Sequence, residues 1–288
     1  MTSTSSLPTV ILVHGAWHTP PAYQTYIDGL QKVGFIVHCP HLPSCKGGEL
    51  PSLPSSPPLP SPSLREDVAA VRALVTSLVE EKGERVLLIM HSYGGVVGTD
   101  AVSSSEEEAS PLHFSARQAA GLKGGVVHLL YLCAYILEPG RSVWDLVVEA
   151  GMAPLWDQLI DTDPVDGSIF PLDPGLAFFS KAKGEMKEEE HEAMMRHLVH
   201  FPMSAVQTPV QQHALPAWKY IPTTYVYTQN DFSVPRTFQD LMTKRVREQH
   251  GVSLRTEDYD THHSIWVSHL DDMVRVALEA ARYGREGK

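Results

Sequence analysis

A doubly wound α/β fold with a mostly parallel sheet is what this sequence predicts, on three observations. Short apolar runs without polar alternation recur along the chain, segments of helical periodicity separate them, and one run ends in a serine followed by glycines. Unalternating runs are how strands read when both faces of a parallel sheet are covered. Strands that alternate with helices wind such a sheet.

The strand candidates, in order, are Val10-Ile11-Leu12-Val13, Phe35 to Val37, Val86 to Met90, Val126 to Leu132 and Thr223 to Tyr227. Leu64, Val68, Val71, Val75 and Leu78 make one helix face, opened by a capping box of Ser63 with Glu66. Leu270, Met273, Val274, Ala277 and Ala281 make another near the C-terminus, with Ser268 and Asp271 as its capping pair. Residues 50–63 are rich in Pro and Ser and read as an exposed extended loop. Residues 140–215 show no clear buried strand but carry Trp144, Trp156, Phe178, Phe179 and several methionines. Large apolar groups inserted between two core strands predict a helical cap over a pocket. The expected division is therefore core over 1–139, cap over 140–215 and core again over 216–288. No internal repeat is present.

The 288 residues suffice for a full core, and 43% hydrophobic with 20% charged residues is ordinary globular composition. A formal charge of −11, without any Lys/Arg-rich run, argues against nucleic acid as a partner. The acidic runs Glu106 to Glu108 and Glu188 to Glu190 read as solvated surface. Val10 to Val13 is too short for a signal h-region or a membrane span, so neither a secretory leader nor membrane association is expected. Cys39, Cys45 and Cys133 are too few and scattered for a disulfide framework or a thiolate zinc site. Together these predict a cytoplasmic protein. The oligomeric state is left open, a homodimer included.

The chemistry concentrates in Val86 to Gly98, where an apolar strand runs straight into Met90-His91-Ser92-Tyr93-Gly94-Gly95. A serine on a tight strand-to-helix turn projects its hydroxyl out of the sheet. The following N–H then lies at a helix N-terminus, where unpaired donors and partial positive charge suit an oxyanion. Met90 departs from the small residue usual two positions before such a serine, and has to turn away or be accommodated on the Gly94 side. Val13-His14-Gly15-Ala16-Trp17-His18, directly after the first strand, fits a loop that supplies a second donor. The expected oxyanion donors are the N–H groups of Ala16 and Tyr93, with His14 and His18 shaping the loop.

These two motifs resemble the α/β-hydrolase superfamily, in particular the branch of plant methylesterases, hydroxynitrile lyases and related fungal and microbial esterases. The likeness extends to Leu42-Pro43-Ser44, Asp67 to Arg72, Tyr225 to Asp231, Val234-Pro235, Gln239 and His263 to Ser268, and is loose over the cap. It implies a Ser-His-Asp triad with Ser92 as nucleophile and Asp231 as acid, Glu138 being the alternative acid. The base falls on His262 or His263; the family's serines one and five positions after it match Ser264 and Ser268 only for His263. The expected activity is cofactor-free hydrolysis of a small to medium apolar carboxyl ester or lactone, with Trp17, Phe178 and Phe179 lining the pocket. Hydroxynitrile lyases of this branch carry Thr at the position of Gly15 and Lys at that of Ser264, and both departures argue against that chemistry. A slow-turnover ligand-binding homologue is the remaining alternative. His191, Glu192, His197 and His200 lack zincin spacing, so no metal is expected. No phosphate-loop or dinucleotide fingerprint follows any strand.

Overall fold

The computed structural model describes residues 7–45, 62–104, 111–179, 192, 194–212 and 214–286. Both acidic runs, His191 and most of the Pro/Ser-rich stretch lie outside the described residues. Strands β1 (Thr9–Val13), β2 (Val37–His38), β3 (Arg85–His91) and β4 (Gly125–Leu132) come first. Three short strands follow, β5 (Ile160–Thr162), β6 (Ser168–Pro171) and β7 (Phe201–Pro202), before β8 (Thr223–Thr228) and β9 (Leu254–Tyr259).

Six of these strands form one sheet in the order β2-β1-β3-β4-β8-β9, paired in parallel throughout. Successive residues feed opposite faces, as a pleated strand requires. Ile11, Val13, Leu88, Met90 and Tyr131 join one apolar cluster, against the helices Leu64–Thr76 and Gly94–Val102. Val10, Leu12, Leu87, Ile89 and Leu130 join the other, against the helices Gln24–Lys32 and Leu270–Glu286. Burial on both faces is why these strands lack alternation. Each fully buried side chain of this size contributes about 2 kcal/mol. The chain leaves β1 to one side for β2 and to the other for β3, which makes the carboxyl ends of β1 and β3 the topological switch point.

The Ser63–Glu66 capping box forms as the spacing predicts. The one at Ser268 does not. Ser268 ends a separate short helix, Ile265–Ser268, and its hydroxyl bonds Thr261 Oγ1 at 2.6 Å and His269 Nδ1 at 2.9 Å. The second strand also shifts, to Val37–His38, because Phe35 and Ile36 follow Gly34 at φ 101° and Ile36 is exposed. β9 escapes the pattern altogether: it is an edge strand whose residues alternate between more and less buried, so Arg255 and Glu257 break any apolar run. The segment between β4 and β8 is not purely helical, since β5, β6 and β7 make an antiparallel sheet of their own.

Candidate active site

Three non-glycine residues have positive φ among the described residues: Trp17 (61°), Ser92 (54°) and Cys133 (37°). They follow the carboxyl ends of β1, β3 and β4, three neighbouring strands. Such conformations cost about 1–3 kcal/mol each and persist where the surroundings impose them. At Ser92 the surroundings are backbone. Its N–H donates to Leu132 O (3.3 Å), and its carbonyl accepts from Gly95 N–H (3.0 Å) and Tyr135 N–H (3.0 Å). The glycines let the next helix come this close. A Cβ on Gly94 would lie 2.3 Å from Val13 O, and one on Gly95 2.2 Å from Tyr135 O. Met90 is accommodated by Gly98, one turn further on than Gly94: a Cβ there would meet the Met90 sulfur at 2.5 Å.

The loop after β1 is fastened from several sides. His14 donates from Nδ1 to Gly15 O (2.9 Å) and accepts Leu42 N–H at Nε2 (3.1 Å); His18 Nδ1 donates to Ala16 O (2.8 Å). Both are therefore loop-shaping residues by position. Tyr23 Oη accepts Gly15 N–H (2.9 Å) and donates to His91 Nδ1 (2.7 Å), which leaves His91 Nε2–H to donate to His263 O (3.1 Å). One chain of hydrogen bonds thus ties the Gly15 loop, the residue before Ser92 and the His263 loop together. Tyr93 is anchored at its far end, where its hydroxyl donates to Asp67 (2.9 Å), a buried carboxylate that also accepts Ser44 N–H and Oγ–H (2.9 and 2.5 Å). Neither Ala16 N–H nor Tyr93 N–H donates to another described residue.

His263 and Asp231 are brought together, with Nδ1 to Oδ2 at 2.7 Å, and both are buried. The carboxylate is held by Ser233 N–H (2.9 Å), Val234 N–H (2.7 Å) and Thr228 Oγ1 (2.8 Å). Gln239 fixes Thr228 in turn, accepting its N–H (3.1 Å) while its own Nε2 donates to the threonine Oγ1 (3.0 Å). With Nδ1 engaged, Nε2 of His263 is the nitrogen left for a nucleophile. The His91 ring stands 4.4 Å from the His263 ring, centroid to centroid. Glu138 is elsewhere, bonded to His250 at 3.1 Å and beside Arg245. His262 stacks edge-on to Phe179, and burial pushes its pKa down to about 4.

A cavity of about 610 Å³ opens over Ser92 and is also lined by Ala16, Trp17, Tyr93 and Asp231. Phe178 and Phe179, expected in its wall, are not among the lining residues. Phe178 is buried behind the site, 4.7 Å from the His18 ring and 6.1 Å from the His263 ring, and Phe179 lies against His262. Trp17 bridges to the inserted sheet by donating from Nε1 to Ile169 O (2.8 Å).

Burial keeps the surrounding imidazoles neutral. It pushes His14 down to about 4, His18 to about 3, and His91 well below the ordinary histidine value. His91, Cys133 and His263 are the described residues whose ligand atoms come close enough together for a metal. His91 offers no free lone pair, since Nδ1 accepts from Tyr23 and Nε2–H donates to His263 O, and burial keeps the Cys133 thiol protonated, so His263 Nε2 stands without a second ligand. His200, one of the surface histidines, packs on Phe170. Sequence reading passed over Tyr23 and Asp67 as site residues, although the Asp67 and Ser44 segments lay within the resemblance. A tyrosine 68 positions before its histidine partner offers no local signal.

Comparison with known proteins agrees with this architecture. The model of the Alpha/beta hydrolase family matches residues 10–279. Alpha/beta hydrolase nvfD of Aspergillus novofumigatus is 27% identical over 277 residues, 95% of this chain and 96% of that protein. Among solved structures, a methylesterase from Arabidopsis superposes with a TM-score of 0.67 at 18% identity, covering 96% of this chain and 100% of the other. A pyrethroid hydrolase from Sphingobium faniae gives 0.66 at 19% identity, over 96% and 98% of the two chains. No helix among the described residues is long and apolar enough to cross a membrane. With the family model matched over nearly its whole length, the chain belongs to the Alpha/beta hydrolase family.

Proposed function

We propose that the protein is a serine hydrolase acting on an apolar carboxyl ester or lactone, with Ser92, His263 and Asp231 as its triad. The observation that carries this reading is the pairing of a strained Ser92 at φ 54°, open to the cavity, with a buried His263 whose Nδ1 is held by Asp231 at 2.7 Å. Asp231 fixes the imidazole tautomer so that Nε2 takes the Ser92 proton as Oγ attacks the carbonyl carbon. The tetrahedral oxyanion is received by the N–H groups of Ala16 and Tyr93. His263 then protonates the leaving alcohol, and water hydrolyses the acyl-enzyme by the same route. The segment between β4 and β8 is the cap that walls the pocket, and the methylesterase and pyrethroid hydrolase names of the structural relatives suit ester chemistry.

The lyase alternative finds little support. A Cβ on Gly15 would lie 2.9 Å from His91 Nδ1 and 3.0 Å from Ser92 Cβ, so threonine does not fit the loop as built. Ser264 next to the base brings no cation. The decisive test is Ser92→Ala together with fluorophosphonate labelling of the wild type. Turnover of p-nitrophenyl esters should fall on the order of 10⁶-fold and the label should map to Ser92. Near-native turnover in the variant would end this assignment.

A further inference from the structure

We infer that the substrate carries a large, uncharged apolar group remote from its reacting carbonyl, held at the cavity mouth by Leu159, Leu172, Leu176 and Phe232. The inference rests on the serine-hydrolase reading and adds a subsite to it. All four side chains line the cavity that opens over Ser92. All four are nevertheless exposed, at 47%, 57%, 41% and 58% respectively. Single exposed leucines are ordinary on a protein surface, whereas several that converge on one opening mark a binding site.

The convergence is built by the backbone. Leu172 N–H donates to Leu159 O at 2.9 Å, which sets those two side by side where β5 and β6 meet. Leu176 lies on the short helix Pro174–Phe179, begun by Asp173, whose Oδ1 accepts Leu176 N–H at 2.8 Å. Ser233 Oγ donates to Ala177 O at 2.9 Å, fastening the loop that carries Phe232 to the same helix. Three separate segments therefore present apolar side chains around one entrance. The cavity itself, at about 610 Å³, lies in the range that encloses drug-sized ligands. A short ester would fill only its inner end and leave the mouth wet.

Charge decides the character of the distal group. Among the described residues Arg236 is the cation in the wall, and it is engaged by Asp240 at 2.9 Å and Asp258 at 2.7 Å while lying over the Tyr227 ring. Asp173 and Asp231 stand in the same wall, so among the described residues an anionic tail meets no unmatched positive charge there. A long acyl chain and a fused hydrocarbon skeleton share the required chemistry, and the two can be told apart by assay.

The experiment measures kcat/KM for p-nitrophenyl esters from acetate to dodecanoate, and for an ester of a fused-ring acid, below their critical micelle concentrations, with one long-chain series continued above its threshold. The wild type should prefer the long or fused-ring esters over acetate by at least about tenfold. In Leu172→Ser/Leu176→Ser that preference should shrink by about tenfold, chiefly through KM, while Leu172→Met/Leu176→Met should retain it. Melting temperatures taken alongside separate a lost subsite from a lost fold. A flat profile in the wild type overturns the inference, as does a preference that survives the serine pair. A rate that rises only above the micelle threshold also overturns it, because the leucines would then be meeting an aggregate surface. Failure of Ser92 to take the fluorophosphonate label would instead sink the underlying hydrolase reading.

Discussion

The two walls of the cavity are made by opposite means. On the sheet side, Gly15, Tyr23, His91, His263 and Asp231 form one connected run of hydrogen bonds around a strained serine, and almost everything there is buried. On the side of the inserted segment, Leu159, Leu172 and Leu176 line the same space while remaining substantially exposed, the first two flanking strands of three and four residues and the third on a six-residue helix. Positions within about 0.5 Å matter for bond making, and a fixed network supplies them. Recognition of an apolar group needs only area, which loosely held side chains can provide. The sheet-side wall should therefore be intolerant of substitution in rate, and the inserted wall intolerant only in selectivity.

The largest expected effect after removal of Ser92 tests the network at its acid. Asp231→Asn keeps the shape but offers an amide where His263 Nδ1 needs an acceptor for its proton. Turnover should fall about 10⁴-fold with little change in KM. Ester kinetics under saturating substrate read this directly, and a loss below tenfold would mean another group orients the imidazole.

How much of this contrast was legible in the sequence follows the same divide. The sheet-side wall announced itself because its parts are local: an apolar strand, then Ser92, then Gly94 and Gly95. Asp231 and His263 came from the resemblance, and the buried contact between them is what gives those positions chemical sense. The links between the parts were invisible, since Tyr23 to His91 and Ser44 to Asp67 are contacts across the fold. The inserted wall carries the expected helices, but its strands were missed because β5, β6 and β7 are too short to show alternation. β9 was missed for the converse reason: at the sheet edge Arg255, Thr256, Glu257 and Asp258 stand between its two apolar ends, so no apolar run exists.

Phe178 sharpens the comparison, since it belongs to the inserted segment by sequence but to the network by contact. It is 1% exposed and touches the rings of Trp17, His18 and His263. Phe178→Ala should cost about 3–5 kcal/mol of stability. Rates for short and long esters should fall by the same factor. A change in selectivity without a fall in melting temperature would return it to the pocket wall.

Acid should unpick the sheet-side wall first. Burial holds His14 near a pKa of about 4 and His18 near about 3, against 6.5 for the free side chain. Below pH 6.5 the unfolded chain takes up protons that these folded imidazoles refuse, so the stabilisation present above 6.5 is lost as pH falls towards 4 and then 3. At pH 5 each contributes about 2 kcal/mol less than at neutrality. Urea midpoints at pH 7.5 and pH 5 measure their sum together with that of His91, His128 and His262, which burial also pushes down, and an unchanged midpoint would show that these rings are not held neutral.

The smallest expected effect concerns Glu138, the carboxylate that sequence order alone left competing with Asp231. It follows the end of β4, one strand away from the position of Asp231, and sits at 23% side-chain exposure between His250 and Arg245. Contacts of this kind that water still reaches are worth about 0–1 kcal/mol, because water screens the attraction and ordering two long side chains offsets it. Glu138→Gln keeps the volume and the acceptor for His250. It should therefore change the melting temperature by no more than a few degrees and turnover by less than about twofold. Measured beside Asp231→Asn, it asks whether a carboxylate matters at this edge of the sheet by charge or by contact. Equal losses in the two variants would imply a general field effect over Ser92 rather than tautomer control by one buried acceptor. A loss confined to Asp231 would assign the effect to the 2.7 Å bond with His263.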